Sequence, residues 1–362
     1  MARVSLTTVA AVIPLVLADP IHRQYRKDSV LFNLIRKRRV ANATAVWTAK
    51  FETSGGGDAY TPGAARNDSE AVSERRVQAT LSWANYREFI DVADETIDII
   101  AATGGSEGSD LLMTESRDAV TRLGAKVGAA VYAGDVTASP VELGGLAAAI
   151  ASSGAYAGIN PGTSGNEAWV SAADSIAVGD LSNAALAEKL HRPIINAIGK
   201  RPEVVACQGA LWDRVRNLQD ANHDVHQFIT INGNRVDITS ASGSKAINID
   251  GVWYVEDRLA TANTFYALSL DGVEFQYVPG EAHDFAGVST ADMARVVGNL
   301  TGMVVTEADI VARLAALGGQ MAPIMFGQGK DGTSTKFGFR TGNFQLCVTK
   351  RNAHAKLSVT GL

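Results

Sequence analysis

Cysteine is nearly missing from this chain: Cys207 and Cys347 are the only two among 362 residues, 140 positions apart. They form neither a disulfide framework nor a CxxC metal or redox motif, so a reducing cytosol is the default expectation. Charge is scarce too, at 20% Asp, Glu, Lys and Arg against a usual share near ~25%. No window approaches ~18 uninterrupted apolar residues, which excludes a sequence-predicted transmembrane helix. No repeat with a period of about 20–50 residues is present, and strands do not alternate regularly with helices, which excludes a solenoid and a doubly wound sheet. What remains is a chain with 46% hydrophobic residues and 35 glycines, long enough for two or three domains. Disorder, a disulfide scaffold and a collagen-like fibre are excluded. So little charge on so long a chain points to a surface shared with other subunits.

The net charge of −5 hides an asymmetry. Residues 1–50 hold nine bases and two acids, a net of +7, which leaves −12 on the rest. Arg23, Arg26, Lys27 and the run Arg36-Lys37-Arg38-Arg39 make this a basic arm. Such an arm contacts either nucleic-acid phosphates or the acidic surface of another subunit; no aromatic residue interleaves the run, which disfavours base stacking. Residues 4–18, VSLTTVAAVIPLVLA, resemble the apolar part of a signal peptide. Pro14 interrupts them, and Asp19-Pro20 stands where a small-residue cleavage site belongs, so a packed or partner-binding arm is the expectation.

Residues 44–84 carry two runs with period-two alternation. Ala45, Trp47, Ala49 and Phe51 share one face, and so do Val77, Ala79, Leu81 and Trp83. The Gly/Asp/Asn/Ser/Pro stretch between them is far longer than an ordinary hairpin loop of about two to five residues. A two-stranded ribbon is marginal alone in water, so its apolar face must lie on something else, in the same subunit or a neighbour.

A helix is expected over about 109–133, capped by Ser109, with Leu112, Ala119, Leu123, Val127 and Val131 in a stripe and Gly134 as a stop. Gly124 and Gly128 weaken it and imply close packing against a neighbouring element. Val141–Tyr156 reads as a second helix and 181–199 as a helix interrupted at Pro193. A buried strand EVVACQ, a helix ALWDRVRNLQDA, a strand-rich block from Phe228 to Val278, short helices near 290–317 and alternating strands over 336–357 complete an α+β chain.

Enzymatic signals are few. GGSEG at 104–108 matches a G-x-S-x-G elbow with Ser106 as nucleophile and His283 or His354 as base, but no oxyanion segment precedes it. His223 and His226, with Asp220 and Asp224, offer metal-like spacing with no third His and no nearby Cys. Neither Gly199-Lys200 nor Gly329-Lys330 is followed by the Ser/Thr of a phosphate loop. No catalytic residue, metal or cofactor is expected.

Five phrases in order carry a resemblance: SERRVQATLSWANYREFIDV, TESRDAVTRLGAKVGAAVY, SSGAYAGINPGTSGNEAWVSA, KRPEVVACQGALWDRVRNL and QLCVTKRNAHAKLSVTGL. Together they make the chain similar to the major capsid proteins of tailed double-stranded-DNA phages, whose fold is shared with encapsulins and the herpesvirus capsid floor. The resemblance implies an N-terminal arm at 1–43, an extended β-hairpin loop at 44–90, a peripheral domain at 91–180 and 321–362 with the spine helix, and an axial domain at 181–320. It implies hexamers and pentamers closing an icosahedral shell around DNA, found in the virion and assembled in the host cytoplasm. The loop face Trp47, Phe51, Val77, Leu81 and Trp83 would then dock on an adjacent subunit. A separate scaffolding protein and a portal protein are expected partners, with no membrane. Residues 51–88 contain no Lys, so a shell without covalent cross-links is expected. Encapsulin-like compartments, which enclose cargo enzymes, and a Ser hydrolase using Ser106 are the alternatives.

Overall fold

Every side chain of Val204–Cys207 is buried, and alternate residues join different apolar clusters: Val204 and Ala206 one, Val205 and Cys207 the other. Thr264–Leu268 repeats the pattern, with Tyr266 and Leu268 in the first cluster and Phe265 and Ala267 in the second. Successive side chains of a strand point to opposite faces, so such strands require cover on both. They are central in a six-stranded sheet ordered Ala172–Ala177, His354–Thr360, Thr264–Leu268, Val204–Cys207, Val252–Glu256 and Ala246–Ile249. The computed structural model describes residues 29–50, 76–93, 106–218, 226, 228–231, 234–237, 245–278, 306–309, 324–331 and 334–362.

One face of this sheet packs with the long helix Ser106–Ala133, through Ala119, Val120, Leu123, Val127, Val131 and Tyr132. The rings of Tyr132 and Tyr266 approach to 5.4 Å across this layer. The other face packs with residues 183–198 and with Gly209–Leu218, through Leu186, Leu190, Ile194, Leu211, Trp212 and Val215. Four smaller assemblies complete the described sheets. Arg36–Arg39, Val273–Tyr277 and Phe344–Val348 form one; Ile324–Asp331, Ser334–Arg340 and Arg87–Ala93 form another; Ala45–Lys50 pairs antiparallel with Arg76–Leu81. A further short hairpin joins Phe228–Ile231 to Asn234–Asp237.

The helix begins three residues before the expected Ser109 and ends where expected. Its 28 residues span roughly 42 Å at ~1.5 Å each. Close packing at Gly128 is borne out: a Cβ there would sit 2.3 Å from Leu259 Cδ1 and 3.1 Å from Ser29 Cβ. Gly134 stops the helix for a different reason from the one expected. It is absent from the residues with positive φ, and a Cβ on it would lie 2.3 Å from Leu143 O, so the glycine admits a crossing backbone.

The helix expected over Val141–Tyr156 is a single turn, Leu146–Ala149. Arg351 takes the carbonyls of Ala148, Ala149, Ser153 and Gly154, and Gly154 at φ 84° turns the chain away. Residues 183–198 remain helical through Pro193 because a π turn, Ala187–His191, precedes it. A proline lacks the N–H of a regular turn, and the wider turn absorbs the mismatch. Gly199, at φ 72°, ends this helix in the left-handed conformation.

Two expected boundaries are corrected. Residues 1–43 are not an arm throughout, because from Ser29 the chain is core: Val30–Leu34 is helical, and Val30, Leu31, Phe32 and Ile35 are buried. The expected peripheral–axial division runs through the six-stranded sheet: Ala172–Ala177 pairs with His354–Thr360, both from the peripheral segments, and His354–Thr360 in turn pairs with the axial strand Thr264–Leu268. The short helices expected over 290–317 lie outside the described residues except at 306–309.

Candidate assembly interface

The ribbon is anchored at home. Ala45, Trp47 and Ala49 are buried, as are Ala79 and Leu81, while Thr48, Gln78 and Thr80 are exposed, so the predicted alternation holds. Trp47 Nε1–H donates to Val348 O at 2.7 Å, and its ring lies 6.5 Å from that of Tyr156. Lys50 N–H donates to Thr349 O and Thr80 N–H to Ala157 O. Trp47 and Leu81, expected to dock on an adjacent subunit, are buried within this one: they seat the ribbon's base on the chain's own strand Phe344–Val348 and the loop after Tyr156. Val77 and Trp83 are partly buried against the same cluster, and Trp83 Nε1–H donates to Asn42 O at 3.1 Å. Phe51 lies outside the described residues, as do Arg23, Arg26 and Lys27.

The basic run is not a free tail. Arg36–Arg39 forms a strand parallel to Glu274–Tyr277. Lys37 lies against the Phe32 ring, its ammonium 4.8 Å from the centroid, and donates to Phe32 O. Arg38 is 3.5 Å from Glu274, an exposed pair of the kind that contributes about 0–1 kcal/mol. Arg36, Arg38 and Arg39 are exposed, and among the described strands this one is the rim of its sheet.

Two buried charges hold these surfaces in place, and neither was visible in the sequence. Asp257 Oδ2 accepts from Ser29 Oγ, from the N–H groups of Val30 and Leu31, and from Tyr132 Oη. It thereby caps the first described helix from 227 positions away and joins it to the long helix. Burial and this carboxylate hold the Tyr132 phenol well above its ordinary range, fully protonated. Arg351 is 1% exposed, and its guanidinium donates to Ala149 O at 2.7 Å and to Gly154 O and Trp169 O at 2.9 Å. Its face lies over Tyr156 at 5.7 Å. One side chain thus ties the turn at Ala149, Gly154 and Trp169 together across the irregular stretch from Ile150 to Trp169. In sequence, nothing singles out either one from the charged residues beside it (Glu256 and Arg258, Lys350), and the partners lie some 125–230 positions away.

The enzymatic candidates do not form a site among the described residues. Ser106 is the first residue of the long helix. His354 is buried: Nδ1 accepts from Ser269 N–H, leaving Nε2–H for Gly272 O, and burial pushes its pKa down to about 4. Both ring nitrogens are engaged, so this histidine has no free nitrogen to serve as a base. His283, His223, Asp220 and Asp224 lie outside the described residues, and the His226 ring packs edge-on to Trp253 at 5.3 Å. Among the described residues no group of three His, Cys, Asp or Glu could hold a metal, and no helix is long and apolar enough to cross a membrane. Cys207 and Cys347 are buried free thiols, raised above their ordinary pKa by burial.

A long helix laid along a mixed sheet, an anchored two-stranded ribbon and a second helical layer make up an α+β fold. The same fold is found in chains of a cyanophage capsid and of a GTA particle capsid. No protein-family model and no curated protein matches the chain. Among solved structures it is similar to a chain of the Cyanophage A-1(L) capsid asymmetric unit, with TM-score 0.62 and 17% identity over 92% of each chain. A chain of the native GTA particle capsid matches with TM-score 0.51 and 11% identity, over 91% of this chain and 90% of that one. The SrpI encapsulin of Synechococcus elongatus aligns with TM-score 0.48 and 11% identity, over 91% and 86%.

Proposed function

We propose that the chain is a major capsid protein that assembles through copies of itself into hexamers and pentamers of an icosahedral shell around double-stranded DNA. The observation that carries this is the whole-chain correspondence with a cyanophage capsid subunit, covering 92% of both chains. In this reading the protein is a structural component of the virion, assembled in the host cytoplasm, and has no catalytic residue. A separate scaffolding protein guides closure, and a portal protein occupies one vertex. DNA is held by non-specific contact.

Negative-stain microscopy of the purified protein, alone and co-expressed with a scaffold, tests the proposal. Closed polyhedral shells or capsomer rings are expected; a uniformly monomeric sample under both conditions overturns it. Nuclease-resistant DNA inside particles from infected cells separates a DNA shell from a compartment filled with protein. Ser106→Ala is expected to leave assembly unchanged.

A further inference from the structure

Arg36–Arg39 pairs with Glu274–Tyr277 on one side, and no described strand covers the other. Val40 N–H donates to Tyr277 O, so strand alternation turns the backbone N–H and C=O of Arg39 toward the uncovered side. Consecutive cations blunt such an edge against most strands and leave it selective for an acidic one. Arg36 and Arg39 have no acidic partner among the described residues.

The geometry also decides which anion fits. Arg36 and Arg38 share one face of the strand and Lys37 and Arg39 the other, so a phosphate backbone approaching either face meets only half the charge. A peptide strand lying alongside meets both faces and pairs with the open backbone. The sequence supplies such a peptide. Residues 52–74, between the two anchored ribbon strands, carry five acids against one base, Arg66, a net of −4. Asp68 and Glu70 are two apart, as are Arg36 and Arg38, the spacing at which cross-strand ion pairs form on one face. Half of the 25 residues between Lys50 and Arg76, extended, reach roughly 40 Å, about twice the radius of gyration expected for a chain this long.

We infer that the open edge of Arg36–Arg39 receives the Asp68–Glu74 segment of a neighbouring copy as an added, charge-matched strand. This rests on the shell reading and adds which surfaces meet. Full-length R36E/R38E and D68K/E70K are the test, with assembly read by sedimentation and folding checked by thermal melts of dissociated subunits. Each variant alone is expected to lose at least tenfold in assembled fraction, and an equimolar mixture is expected to recover it, because each reversed edge then finds a reversed segment. The second variant probes the contact from the other side should the first fail to fold. The inference is overturned if both variants assemble normally. It is also overturned if only the quadruple variant assembles, which places the contact within one chain, or if R36E/R38E forms normal shells that hold less DNA, which assigns the edge to phosphate. Wild-type protein that never assembles overturns the shell reading, and this inference with it.

Discussion

Tyr132 donates its hydroxyl hydrogen to Asp257 Oδ2 across 2.7 Å, where both residues are fully buried. The bond links the long helix to the turn after Val252–Glu256, and the same oxygen holds the chain's first described helix. Asp257→Ala is expected to destabilise the dissociated subunit by about 3 kcal/mol, because it strands several buried donors. Tyr132→Phe removes one of them and should cost about 1 kcal/mol. Urea denaturation of dissociated subunits measures both, and equal effects would contradict the hub geometry.

Arg351→Lys should behave as a loss. An ammonium cannot reproduce the planar fork that reaches Ala149, Gly154 and Trp169 together. Hydrogen exchange is expected to speed at least tenfold across 150–169 and to change little in Val204–Cys207. Uniform acceleration of both would show that Arg351 supports global stability and has no specific hold on this loop.

Gly134→Ala sets packing against conformational preference. Gly134 lies just past the helix with a φ that alanine can adopt, so alanine would stabilise by about 0.4–1 kcal/mol through the unfolded chain, yet its Cβ would meet Leu143 O at 2.3 Å. Overpacking of this kind costs about 1–3 kcal/mol, so net destabilisation is expected in a thermal melt. A stabilised variant would mean the crossing at Leu143 relaxes freely.

Acid should weaken the subunit through its buried histidines. Burial lowers the pKa of His191 and takes that of His354 from 6.5 to about 4, so the folded state prefers both neutral. A depressed base binds fewer protons folded than unfolded, so stability is full above about pH 6.5 and declines as the pH falls toward 4. His354 alone contributes at most roughly 3 kcal/mol to this slope. Denaturation midpoints between pH 7.5 and 4.5 should trace the decline, and His354→Gln should flatten it.

Trp47→Ala is expected to act before assembly. Its indole is buried within its own subunit, so truncation should cost about 3–5 kcal/mol in the dissociated protein. Trp83→Ala, at a partly buried ring, should cost less. Normal stability of Trp47→Ala subunits combined with failed shells would return this residue to the interface between copies.

Periodicity made much of the fold legible. The apolar stripe of Ala119, Leu123, Val127 and Val131 placed the long helix, and the alternation of Ala45, Trp47 and Ala49 placed the ribbon, because these signals repeat within a few residues. The same text could not show what lay opposite. Trp47 demanded a partner surface, and only the fold supplied Val348 O from 301 positions away in place of a neighbour. Likewise Arg36–Arg39 was legible as charge and illegible as a strand, since its pairing comes from Glu274–Tyr277 and its own residues carry no strand pattern.

By itself, then, the sequence determined the α+β class and the order of ribbon, long helix and strands. Tertiary structure decided where the charged residues work. Asp257 and Arg351 are single residues with no local period, and their roles exist only because long-range packing buries them beside N–H groups and carbonyls that water no longer satisfies.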